Sequence, residues 1–137
     1  MDHQEARLCF KVLRYAEYDA FKSRGLFAGS SDDLKDGFIH LSLRHQVRGT
    51  VEKHFQGLDD LWLLAIAVPT SDTELRMEPS RGGDLFPHLY RALSADDVLW
   101  VSPLWVIGGV AVFPELGASV PEGAEIWPKP EGRGGFV

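Results

Sequence analysis

The order of elements along the chain predicts an α+β domain. The N-terminal half alternates strand, helix, strand, helix, and the remainder of the chain reads as mainly short strands. The segment LWLLAIAV over 61–68 is apolar throughout and stops at Pro69, the mark of a strand buried on both faces. A doubly wound parallel fold would need further helices after the third strand, and no such periodicity is present.

Each element carries its own local signature. LCFKVL over 8–13 is short, apolar and β-compatible. Residues 15–24 carry Tyr18 and Phe21 at helical spacing, and Gly25 stands where a helix C-cap glycine belongs. GSSDDLKDG over 29–37 is polar and turn-rich and reads as a loop, and 38–41 as a second strand. Val47, Thr50, Val51, His54 and Phe55 recur with helical spacing over 44–55. Strands are expected at 73–78, 98–101 and 106–113, with an extended piece at 86–90 confined to an edge by Pro87. Residues 94–97 resemble a capped helical turn. One domain over 1–114 is expected, with an extended Pro- and Gly-rich tail at 115–137 on which Trp127 can dock.

Composition narrows the function. The chain has 137 residues, with 45% hydrophobic and 25% charged, enough for a single core without staples. The net charge of −6 disfavours non-specific nucleic-acid binding, although a local basic pocket for a small anion is compatible with it. One cysteine, Cys9, excludes a disulfide framework and a multi-cysteine metal site, and fits a reducing cytoplasm. The polar N-terminus does not read as a signal peptide, and no apolar run approaches a membrane span. No HxxxH or HExxH spacing appears, so no metal is expected.

Two segments concentrate chemistry. In Gly37-Phe-Ile-His-Leu-Ser42, strand alternation places Phe38, His40 and Ser42 on one face and Ile39 and Leu41 on the other. From Glu78 to Arg91 the chain supplies a carboxylate, Arg81, Gly82-Gly83, His88 and Tyr90; the two glycines allow close backbone approach to a ligand. His40, Ser42, Glu78, Arg81, His88 and Tyr90 are expected on one concave surface, with Arg81 as the preferred phosphate partner. A structural role for both histidines, as core side chains satisfied by backbone carbonyls, stands beside that reading. The paired aspartates, including Asp32-Asp33 and Asp96-Asp97, fall in expected loops or caps and read as solvated surface.

The combination of Gly37–Ser42, Gln46, Thr50, Phe55, the 61–68 strand, Met77-Glu-Pro, Gly82-Gly83 and Phe86-Pro-His-Leu-Tyr90 resembles the domain-of-unknown-function 952 family. That family is similar in fold to the ADP-ribosyltransferase superfamily, and within it to the RNA 2′-phosphotransferase branch, which also runs from a first strand through a helix ending in Gly-Leu to a His-Leu-Ser strand. The resemblance implies two small, mainly antiparallel sheets forming a cleft, with two helices in the N-terminal half. It also implies a transferase acting on NAD or another ADP-ribose-containing or nucleotide substrate. Lys11 then stands where many relatives have histidine. His40, Glu78 and His88 become the catalytic candidates. Lys11, Ser42, Arg81, Gly82, Gly83 and Tyr90 become ligand contacts. The competing expectations are a non-catalytic module for a nucleotide or small anionic metabolite, and a partner-binding domain using Trp100, Trp105, Phe113 and Trp127.

Overall fold

The computed structural model describes residues 5–127. Its elements are β1 (Ala6–Arg14), α1 (Tyr15–Arg24), β2 (Leu26–Phe27), α2 (Ser31–Asp36), β3 (Ile39–His40), α3 (Val47–His54), β4 (Leu61–Pro69), β5 (Leu75–Pro79), β6 (Leu85–Leu89), β7 (Leu93–Ser94), a 3-10 turn at Ala95–Asp97, β8 (Val98–Ile107), β9 (Val110–Val112) and β10 (Glu125–Ile126). All pairings are antiparallel. The α+β expectation holds, with corrections: three α-helices where two were expected, and three sheets where two were expected.

The largest sheet runs β1-β4-β8-β10, with β9 folded back on β8. β1 and β4 are in register along their whole length, from Ala6 opposite Pro69 to Arg14 opposite Leu61. Alternation sends Cys9 and Leu13 of β1, with Leu64, Ile66 and Val68 of β4, to one face, where α1 and the β3-β6-β5 sheet cover them. Phe10 and Val12, with Leu61, Leu63 and Ala65, go to the other face, beneath Val47 and Val51 of α3. Both faces are therefore buried, and this is why the 61–68 segment carries no polar alternation.

Segment 29–37, expected as a loop, contains α2. Ser30 Oγ accepts from Asp33 N, while Asp33 Oδ2 accepts from Ser30 N, a reciprocal cap that starts the helix. Gly37 ends it in the left-handed region at φ 89°. Two aspartates expected on the solvated surface are buried. Asp33 is 2% exposed, and Asp97 is gripped by the Arg91 guanidinium through both oxygens at 2.9 and 3.0 Å. Arg91 also donates through Nε to Asp72 at 3.0 Å, so one guanidinium ties the turn before β5 to the turn before β8.

Beyond Pro114, Leu116 and Trp127 are buried, Trp100 Nε1 donates to the Gly117 carbonyl, and β10 pairs with Trp100 and Val101 of β8. Trp127 stacks on Phe21 of α1 at 4.9 Å and meets Tyr18 edge-on at 5.8 Å. The rest of the expected tail, 128–137, lies outside the described residues. No helix among the described residues is long and apolar enough to cross a membrane.

Candidate active site

The site is built on the three-stranded sheet β3-β6-β5. Register places His40 opposite His88 and His88 opposite Arg76, so the three form one row across the strands. The neighbouring row, Ile39–Leu89–Leu75, points the other way into the core. One sheet face is thus anchored by packing, and the opposite face presents the polar row.

Phe38 sits over that row. Its ring stacks on His88 at 4.0 Å and lies 4.6 Å from His40 and 5.2 Å from Tyr90, while the two imidazoles are 5.7 Å apart. Glu78 Oε1 accepts from Tyr90 Oη at 2.7 Å and lies 2.8 Å from His88 Nδ1. The Arg76 guanidinium covers the Tyr90 ring at 4.4 Å. The hydrogen bonds from Tyr90 and His88 lower the Glu78 pKa, and the same carboxylate raises that of Tyr90. Glu78 is therefore an anion and Tyr90 a neutral donor at ordinary pH.

A second, deeper layer supports His40. Asp33 receives Lys11 Nζ (3.3 Å to Oδ1, 3.0 Å to Oδ2), His40 N (3.0 Å) and Ser30 N (2.9 Å), and its Oδ1 lies 2.7 Å from His40 Nδ1. Lys11 also donates to the His40 carbonyl at 2.9 Å. Burial alone would raise the Asp33 pKa. The His40 hydrogen bond, the Lys11 charge and the two backbone N–H groups outweigh it and hold the carboxyl well below the usual range. Asp36 Oδ2 approaches His40 Nε2 at 2.9 Å, so both imidazole nitrogens face carboxylates. The hydrogen bond to Asp33 raises the His40 pKa against the opposing effect of burial.

Gly29 makes this approach feasible. Its φ is +133°, and a Cβ there would lie 2.8 Å from Asp33 Cβ.

The structure gathers His40, Glu78, His88 and Tyr90, four of the residues expected at one site. Ser42 is placed elsewhere: its Oγ bonds Thr50 Oγ1 of α3 at 2.8 Å, and its backbone bridges to Phe10 of β1. Lys11 is buried with its ammonium committed to Asp33 and the His40 carbonyl. Arg81, Gly82 and Gly83 lie exposed in the β5–β6 turn, and Arg81 makes no hydrogen bond or ion pair among the described residues. Cys9 is fully buried, and burial pushes its thiol up to about 12, which leaves it inert. No group of three or more His, Cys, Asp or Glu among the described residues is arranged to hold a metal.

The model of the family described as protein of unknown function (DUF952) matches residues 12–101, more than half of the chain. The chain belongs to the DUF952 family. Among solved structures, it is similar to the X-ray structure of protein CC0527 from Caulobacter crescentus. The identity is 44%, with 77% of this chain and 93% of that one covered, and the TM-score is 0.71. A double-mutant form of the same protein gives a TM-score of 0.72 at 44% identity and the same coverage. Its solution NMR structure gives 0.69 at 43% identity, covering 76% and 90%. No curated protein matches the chain.

Within this DUF952 chain, three site residues escape a reading by spacing alone, Asp33, Asp36 and Arg76, whereas alternation puts Phe38 on the His40 face. The only local signal for Asp33 is the Ser30-x-x-Asp33 cap spacing. Arg76 enters through strand register, which the sequence does not display.

The His40 shift fixes a pH dependence. Its folded value lies above the ordinary 6.5, so its contribution to stability is complete below about 6.5 and is lost as pH rises through the elevated folded value. Thermal unfolding of wild type against His40→Gln should show the stability difference shrinking as pH rises from 6 toward 9. A difference that is flat with pH would mean that folding leaves the His40 pKa unshifted and that Asp33 does not stabilise its charged form.

Proposed function

We propose that the Glu78–His88 pair is the acid–base centre of a transferase acting on NAD or another ADP-ribose-containing nucleotide. The observation that carries this reading is a carboxylate on His88 Nδ1, with Nε2 left without a hydrogen-bond partner among the described residues. With Nδ1–H donating to Glu78, Nε2 carries the lone pair that accepts a proton. Tyr90 shares the same Glu78 oxygen and holds the carboxylate in place, while Oε2 makes no hydrogen bond among the described residues and is open to a developing positive charge.

In the reaction, the N-glycosidic bond breaks and its electron pair neutralises the pyridinium nitrogen of nicotinamide. The acceptor hydroxyl oxygen bonds to the anomeric carbon, and its proton passes to His88 Nε2. Glu78 lies beside the oxocarbenium-like centre. His40, held by two carboxylates, acts as a fixed cation in this scheme. Arg76 supplies charge for the pyrophosphate, and Phe38 supplies a stacking surface.

Nicotinamide release from NAD, measured by chromatography, tests the reading. Wild type should turn over. His88→Asn should lose about 10²–10⁴-fold in rate, the range for a general acid or base, while ADP-ribose affinity measured by calorimetry changes little. ADP-ribose binding without nicotinamide release favours the second reading, a binding module. The saturation of both His40 nitrogens supports that alternative, because it leaves His40 suited to holding charge and unsuited to moving protons. Neither binding nor turnover would overturn both.

A further inference from the structure

Away from the β3-β6-β5 face, two cavities meet at one side chain. The first, about 420 Å³, lies between the start of β1 and the loop before α3 and is lined by Glu5, Arg7, Leu43, Arg44 and His45, among others. The second, about 340 Å³, is lined by Arg44, Arg48, Glu115 and Leu116, among others. Arg44 lines both, so the two cavities adjoin at this residue in one arginine-lined groove region, with Arg7 in the first lining and Arg48 in the second.

The charge of this groove runs against that of the chain. Overall the chain carries −6, yet three guanidiniums and His45 face two carboxylates here. Among the described residues, none of Arg7, Arg44 and Arg48 forms an ion pair, with Glu5, Glu115 or any other carboxylate. Arg48 is positioned by the Phe113 ring, 5.0 Å from its guanidinium, a contact that leaves its hydrogen-bond donors unspent. Unspent planar donors around a concavity match the oxygens of phosphoryl groups, which a guanidinium binds in pairs. Arg44 is the cation common to both linings, so a ligand with more than one phosphoryl group can meet it together with Arg7 or Arg48. Each cavity lies within the size range of small-molecule sites.

We infer that this groove binds a small ligand carrying two or more linked phosphoryl groups, independently of the Glu78–His88 centre. Inorganic tripolyphosphate is the probe, titrated by calorimetry at about 0.15 M salt, where diffuse surface attraction is largely screened. Saturable binding is expected. Arg44→Gln should weaken it about ten-fold or more, as for loss of a charged hydrogen-bond partner, and Arg48→Gln should weaken it in the same direction. Arg24→Gln, which removes an exposed charge at the end of α1, should leave affinity within about two-fold, as expected for a rim charge in that salt. His88→Asn should also leave it unchanged, which keeps this result separate from the fate of the proposed transferase. Absence of saturable binding, or an equal loss in Arg24→Gln, would overturn the inference. So would a single-stranded oligonucleotide that binds through Arg44 when tripolyphosphate does not, because the groove would then follow a nucleic-acid backbone.

Discussion

Asp33→Asn should destabilise the fold by about 3–5 kcal/mol, the cost of leaving one member of a buried ion pair without its counter-charge. Asp33 is 2% exposed and Lys11 8%, so water cannot replace the lost charge. The carboxylate accepts from Lys11, Ser30 N, His40 N and the His40 ring. An asparagine must turn an NH₂ toward some of those donors. Urea unfolding with an unchanged m-value is the measurement. The second arm is Lys11→Met combined with Asp33→Asn. Removing both charges should recover part of the loss, and the coupling between the two substitutions measures the pair itself. A single-variant loss below about 1 kcal/mol would mean that the network is solvated and does not fix His40.

Trp127→Ala should cost about 3–5 kcal/mol, the range for removing a large buried aromatic. The indole is 2% exposed and closes a run of rings: Trp127 on Phe21, Trp127 against Tyr18, and Tyr18 stacked on Trp62 of β4 at 4.1 Å. α1 has few other means of attachment, since its buried side chains are Tyr18 and Phe21. Its loss should therefore appear as faster hydrogen exchange in α1 as well as a lower unfolding midpoint. If α1 keeps wild-type protection, Phe21 and Tyr18 hold the helix without the indole.

The sequence makes some of this architecture plain for identifiable reasons. Gly25 marks the end of α1 because only a residue free of Cβ strain takes φ 79° so readily there, and the unbroken apolar run of β4 can only be buried twice. Face alternation sets only which side of its own strand each of His40 and His88 takes; that they stand opposite one another comes from strand register. Asp33 is hidden for the opposite reason. A carboxylate in a polar, serine-rich stretch is ordinarily solvated, and the lysine that draws it inward lies 22 residues earlier, on β1. Ser42 shares the alternation of His40 along the chain, yet its backbone is captured by Phe10 and its hydroxyl by Thr50, contacts that no local pattern records. Arg76 and Asp36 join the site only through the folded arrangement of β5 and α2.

The aromatic contact between α1 and Trp127 also bears on the order in which the protein is made. Phe21 leaves the ribosome well before the indole that covers it, which emerges about a hundred residues later; at roughly 5–20 residues per second the interval is on the order of 5–20 s. β1 finds its partner sooner, once Pro69 has emerged, so a nascent chain can hold the β1–β4 ribbon while Tyr18 and Phe21 remain uncovered. That interval exposes an apolar helix face to holdase chaperones and to neighbouring nascent chains. A message truncated just before codon 127 would release a polypeptide with most of its sheet and no latch, a substrate for quality-control proteases.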